Sequence, residues 1–251
     1  MLRSKILDRA MARLLLLLLT MLTGAANAAD RPARETALFD RPLAIQRVPA
    51  SPAGELRCSY YADLMVREAG VDTPAPGAAT FVPVGTQRPP CNIDAVAGDR
   101  TMNTEHYSFA GRKGAFLVFS ATDPHGAIPF MVLDATDGHV VFRAGKIDDG
   151  FRAITLKGST LRMQYLHGVN GSCSVYKDGP SCWTKLMTEG KIPRALSQMQ
   201  PSTEVCAASY RRANSTSDNP SIITYDVDVT LSQAGKPRVN SRGRVGCYPM
   251  P

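Results

Sequence analysis

In the stretch Ser221 to Leu231 apolar and polar side chains alternate from Ile223 onward. Positions 223, 225, 227, 229 and 231 are Ile, Tyr, Val, Val and Leu; 224, 226, 228 and 230 are Thr, Asp, Asp and Thr. A period of two is the mark of a strand with one buried face. After the turn Ser232-Gln233-Ala234-Gly235-Lys236, the run 237–247 puts Arg238, Asn240, Arg242 and Arg244 on one face. Keeping apolar opposite apolar requires paired residue numbers of even sum. A five-residue turn then sets Asp226 opposite Arg242 and Asp228 opposite Asn240. That face reads as an arginine-lined binding surface or, more simply, as a solvated face with cross-strand charge pairs.

The same alternation runs from Leu56 to Val66, where the even positions are Leu, Cys, Tyr, Ala, Leu and Val, and it predicts one half-buried strand. Residues 29–53 carry prolines at 32, 42, 49 and 52 and read as an extended lead-in. Thr80 to Val84 is a short strand, and Gly85 to Asn103 reads as irregular chain pinned at Cys91. In the middle, Ala115–Ser120, Ala127–Leu133 and His139–Ala144 are strand-length runs. The turns Thr122–Gly126 and Asp134–Gly138 separate them, which predicts an antiparallel meander. Further runs of strand length lie at Phe151–Leu156, Leu161–Leu166 and Cys182–Met187, and only Pro193–Met199 invites a short helix. The expected fold is mainly β, an antiparallel sandwich or open barrel-like sheet with few short helices. Its main domain would span 54–200, with a C-terminal hairpin unit over 201–251, either separate or part of the same domain.

The N-terminus changes the charge argument. Arg3, Lys5, Arg9 and Arg13 precede an 11-residue apolar run, Leu14 to Gly24, and Ala26-Asn27-Ala28 supplies a small-x-small cleavage site. About 20 apolar residues are needed to span a bilayer. Residues 1–28 therefore read as a cleaved signal peptide, and no second run of spanning length follows. The full chain has 29 basic and 22 acidic residues, a balance of +7; residues 1–28 hold four and one, leaving +4 for the rest. A mild positive charge suits an anionic cell envelope, and no basic block points to nucleic acid. The six cysteines, Cys58, Cys91, Cys173, Cys182, Cys206 and Cys247, are an even set in an exported chain, which favours disulfides. Local closure pairs Cys58–Cys91, Cys173–Cys182 and Cys206–Cys247. No spacing is CxxC, which argues against a thioredoxin-type centre or a zinc ribbon. The expected location is periplasmic or extracellular.

Several short words resemble known families. LDATDGHVVF is similar to the hairpin of quinoprotein-type propeller blades, L-D-x-x-T-G-x-x-x-W, through Leu133, Asp134 and Gly138; the resemblance implies local β structure only. Trp183-Thr184-Lys185 with Glu189 resembles the W-T-K word of periplasmic lysozyme inhibitors. Those must attract a basic enzyme, and this basic chain would repel one. Gly171-Ser172-Cys173 differs in order from the S-x-G-C of exported L,D-transpeptidases, and a disulfide is the simpler fate of Cys173. G-x-S-x-G, H-E-x-x-H, P-loop and G-x-G-x-x-G patterns are all missing.

The densest candidate chemistry is TDPHGAIPFMVLDATDGH, Thr122 to His139. A seven-residue strand at about 3.3 Å per residue holds its two turns roughly 20 Å apart, so Asp123 and His125 cannot share an ion with Asp137 and His139. Asp134 is expected to cap its own turn, with Gly138 at positive φ. If the loop Gly145–Gly150 returns beside TDPHG, then Asp123, His125, Asp148 and Asp149 form an acidic rim. Such a rim suits Ca²⁺ or a substrate, turn capping being its simpler role. No metal or cofactor is assigned. The expected role is non-enzymatic binding of an envelope component or another protein. The rival is an exported hydrolase with a dispersed His/Asp site that includes His125 or His167.

Overall fold

The computed structural model describes residues 38–50, 54–70, 77–95, 98–121 and 126–250, without the side chains of Asp148 and Asp149. The expected signal segment and residues 29–37 and 51–53 of the lead-in lie outside them, and the rest of the lead-in includes the strand Ala44–Ala50. The chain is mainly β, in two antiparallel sheets. The first sheet has the order β1 (Ala44–Ala50), β2 (Gly54–Tyr60), β3 (Leu64–Ala69), β4 (Thr80–Pro83) and β5 (Arg100–Thr101). The second has seven strands: β6 (Tyr107–Lys113), β7 (Phe116–Ala121), β8 (Ile128–Asp134), β9 (Val140–Lys157), β10 (Thr160–Asn170), β11 (Ser221–Ser232) and β12 (Arg238–Pro249). Each is hydrogen-bonded to its neighbour in sequence. Helices α1 (Val175–Thr188) and α2 (Thr203–Arg212) and a 3₁₀ turn at Arg194–Leu196 fill the connection between β10 and β11.

The meander of β7, β8 and β9 forms as the alternation requires. The C-terminal hairpin takes the expected register: Asp226 faces Arg242, and Asp228 faces Asn240. Ile223, Tyr225, Val227, Val229 and Leu231 all face the core. The three disulfides are Cys58–Cys91, Cys173–Cys182 and Cys206–Cys247, the pairs that local closure favours.

Other expectations are corrected. Leu56 to Val66 is two strands, because the chain reverses at Tyr61-Ala62-Asp63, where the Tyr61 amide donates to the Leu64 carbonyl (2.8 Å). That turn contains neither glycine nor proline, so nothing in its composition announces it. Cys182–Met187 lies in α1 and not in a strand. Its buried residues, Val175, Cys182, Trp183 and Leu186, follow helical spacing, and the break at Gly179-Pro180 hides that period. Helix α2 carries Cys206, Ala207, Ser209 and Tyr210 inward, with Ser202 accepting from the Val205 amide (3.4 Å) at its start. The expected loop 145–150 is part of β9, which runs on through an irregularity in its pairing with β10.

Three layers of side chains hold this together. On the inner face of the seven-stranded sheet, Phe130, Phe151, Leu161, Met163, Tyr165 and the inward residues of β11 pack under Trp183, Leu186, Leu196 and Tyr210. The sheet curls towards this face, so that Leu156 of β9 meets the β6–β7 turn. A Cβ on Gly114 would come within 2.5 Å of Leu156 Cδ2. On the outer face, Phe109, Leu117, Phe119, Met131 and Leu133 of β6–β8 pack against Tyr61, Leu64, Val66 and Phe81 of the first sheet. Beyond that sheet, Leu56, Cys58, Tyr60, Met65 and Val82 form a third cluster with Cys91 packed on it.

A buried ion pair joins the two sheets. Arg57 and Glu68 are register partners on β2 and β3. Arg57 donates to Glu68 Oε2 through Nε (2.9 Å) and Nη2 (2.6 Å). The Phe109 amide of β6 donates to Glu68 Oε1 (2.6 Å), and the Phe109 carbonyl accepts from Arg57 Nη2 (2.9 Å). Phe109 sits where β6 shifts register against β7. Removing one member strands the other charge in a dry site, which costs about 3–5 kcal/mol. Glu68→Ala and Arg57→Ala should each lower unfolding stability by that order in urea titrations. In the double variant the two losses should sum to clearly less than additive.

Candidate functional site

The acidic rim cannot be assembled here. Asp123 and His125 lie outside the described residues, as do the side chains of Asp148 and Asp149, whose backbone belongs to β9. The second turn is described in full. Asp134 is buried and its Oδ1 accepts from the Thr136 amide (2.7 Å) and hydroxyl (2.6 Å). Asp137 Oδ1 accepts from the His139 amide (3.0 Å) and lies 2.6 Å from His139 Nδ1. Gly138 adopts φ +79°, where a side chain would be strained. Asp134, Asp137 and His139 converge closely enough to hold an ion. Their hydrogen bonds, however, are those of a capped turn.

The remaining catalytic candidates are packed away. Cys173 is bridged to Cys182, so its sulfur is no nucleophile. His167 sits on the inner face of β10, its ring 4.9 Å from that of Tyr225 and 6.0 Å from that of Tyr165. Its Nδ1 has no hydrogen-bond partner, and burial pushes its pKa down to about 4 against a small upward pull from the Gly145 backbone. Burial likewise raises Tyr225 to about 12.

The open part of the molecule is the outer face of β9–β12. The first sheet covers only β6–β8, and the helices lie on the other side. Register puts Thr155, Arg162, Thr230 and Arg238 in one row across the four strands. The next row is Ala153, Gln164, Asp228 and Asn240, and the one after holds Leu166, Asp226 and Arg242. Arg143 and Lys157 belong to the same face by their partners Met131 and Thr160. Arg143, Arg152, Lys157, Arg162, Arg238 and Arg242 are all exposed.

Two acids organise part of this array. Asp226 pairs with Arg152 (2.5 Å). Asp228, nearly buried, pairs with Arg242 (2.7 Å) and more loosely with Arg162 (3.7 Å). Arg242 therefore reaches diagonally past its register partner Asp226. The cross-strand charge pairs expected of a solvated face are present, and cations still outnumber acids on it. Reading along the chain found only the β12 part of this surface, because its other cations are scattered over a hundred residues and form no block. The alternation in β10–β12 was the available signal, since it assigns each arginine to the outer side.

The fold and this face define a class: a disulfide-stapled, antiparallel β protein with one open basic sheet face. No family model matches the sequence, and comparisons with curated proteins and with solved structures found no significant similarity. Among the described residues, no helix is long and apolar enough to cross a membrane. The disulfides and the β-rich fold are compatible with an exported protein.

The depressed pKa of His167 gives a signed pH dependence. The unfolded chain binds a proton near pH 6.5 and the folded chain only near 4. Stability from this group is present above 6.5 and is lost as pH falls through that window, by about 3 kcal/mol in all. Glu68 works in the opposite sense, because burial raises its pKa. The difference between wild type and His167→Gln therefore isolates the histidine. Urea unfolding between pH 7 and pH 4 should show the variant losing about 3 kcal/mol less than wild type.

Proposed function

We propose that this is an exported protein of the periplasm or extracellular space that binds an envelope component or a protein partner without catalysing a reaction. The observation that carries the reading is the outer face of β9–β12: polar, basic and, among the described residues, uncovered, on a sheet whose other surfaces are packed. A rigid sheet presents such side chains at fixed spacing, so binding need not pay to order a loop. The signal-like N-terminus and three disulfides support export. An anionic envelope would draw a basic face towards it by long-range attraction.

The test is capture from envelope extract by the mature, tagged protein. Wild type should retain a specific component, and retention should fall as salt is raised. Arg143→Glu combined with Lys157→Glu should abolish it, while Arg211→Glu with Arg212→Glu, exposed on α2, should not. Equal capture by both variants would place the contact elsewhere and remove the face from consideration.

A further inference from the structure

The open face has one end at which cations are left without acids. Asp226 and Asp228 are engaged with Arg152, Arg242 and Arg162, all towards the middle of the strands. At the end formed by the β9–β10 and β11–β12 turns stand Lys157, Lys236 and Arg238, and among the described residues none of them meets an acid. Lys236 and Arg238 line a cavity of ≈ 500 Å³ together with Thr160, Thr230, Ser232, Gly235 and Pro237, and Lys157 and Arg162 stand just outside that lining. Thr160 pairs with Ser232 and with Lys157, so the lysine belongs to the same edge of the site.

The strand register sets the geometry. Thr230 lies between Arg162 on β10 and Arg238 on β12, as direct partners of both. Neighbouring strands are about 4.8 Å apart, which puts the two arginine backbones roughly 10 Å from each other with the threonine hydroxyl midway. Two guanidinium groups can lean from the flanking strands onto one anion seated above Thr230. Thr160 and Ser232 supply further hydroxyl donors, and Lys236 closes the side with a point charge. The turn sits tightly over this floor: a Cβ on Gly235 would lie 2.3 Å from Ser232 Oγ.

We infer that this cavity binds the phosphate group of a phosphate ester. Forked guanidinium donors, hydroxyls and one ammonium match the several oxygens of a tetrahedral phosphate. The volume exceeds that of the bare anion and leaves room for the first carbons of a glycerol or sugar. The inference rests on the open face being the binding surface, and it names the chemistry recognised there. Phosphorylated lipid headgroups and free phosphate esters share that chemistry, and the experiment separates them.

Purified mature protein is titrated with glycerol 3-phosphate by calorimetry. It is also sedimented with vesicles of phosphatidylcholine alone and of phosphatidylcholine mixed with phosphatidylglycerol. Binding to the mixed vesicles, displaced by glycerol 3-phosphate, supports the site with a lipid source. Binding of glycerol 3-phosphate without vesicle binding supports it with a soluble source. Arg162→Ala and Arg238→Ala should each weaken binding by about tenfold, the scale of one charge-assisted hydrogen bond. Lys236→Gln should weaken it less, and Arg212→Ala should leave it unchanged. The inference is overturned if glycerol 3-phosphate neither binds nor displaces vesicles, or if it binds equally to Arg162→Ala and Arg238→Ala. Envelope capture that survives such a failure, and is still lost in Arg143→Glu/Lys157→Glu, would overturn the phosphate site and leave the binding face standing.

Discussion

The Arg57–Glu68 pair is the contact on which the arrangement of the two sheets depends. It is costly in itself, because burial disfavours the carboxylate strongly enough to raise its pKa even beside a guanidinium. What it supplies is specificity of placement. The register irregularity of β6 leaves the Phe109 backbone needing partners other than β7, and the pair provides both a donor and an acceptor there. A purely apolar contact between sheets tolerates sliding. A carboxylate and a guanidinium that must each reach one residue's amide and carbonyl do not.

That placement decides which part of the seven-stranded sheet is left bare. With the first sheet anchored over Phe109, its apolar residues reach Leu117, Phe119, Met131 and Leu133 and go no further. Strands β9–β12 keep their inner face under the helices, and among the described residues neither the helices nor the first sheet packs on their polar outer face. The sequence alternation and the layering thus agree on the same division. From Ile223 to Leu231 the odd positions of β11 are apolar and buried in the core under α1 and α2, while the even positions carry Thr and Asp, of which Asp226 and Thr230 are partly exposed and Thr224 and Asp228 are buried.

Much of this was legible along the chain. The strand-length runs of β7 and β8 and the period of two in β11 survived into the fold, and the hairpin register followed from parity alone. Cysteine proximity in sequence sufficed for the pairings, since each cysteine is bridged to its neighbour along the chain, at separations of 33, 9 and 41 residues. What failed to show was anything that depends on distant segments. The α1 period is interrupted by Gly179-Pro180, and the β2–β3 turn has neither glycine nor proline, its Asp63 being paired with Arg112 of a different sheet. The basic face is the clearest case. Arg162, Thr230 and Arg238 become neighbours only through strand pairing, so no window of sequence contains the site.

The distribution of acids on that face separates structure from binding. Asp226 and Asp228 sit low on the central strand, where they neutralise the arginines that would otherwise repel one another across β9–β12. Had the cations served only solubility, pairing would be expected throughout or nowhere. Pairing stops instead before Thr230, where the hydroxyls and the cavity begin. Leaving Lys157, Lys236 and Arg238 without acids among the described residues costs mutual repulsion, which an anion bound as proposed would relieve. The same argument explains why a modest overall charge suffices: the field that an incoming anion meets is set by the few charges at that end of the sheet.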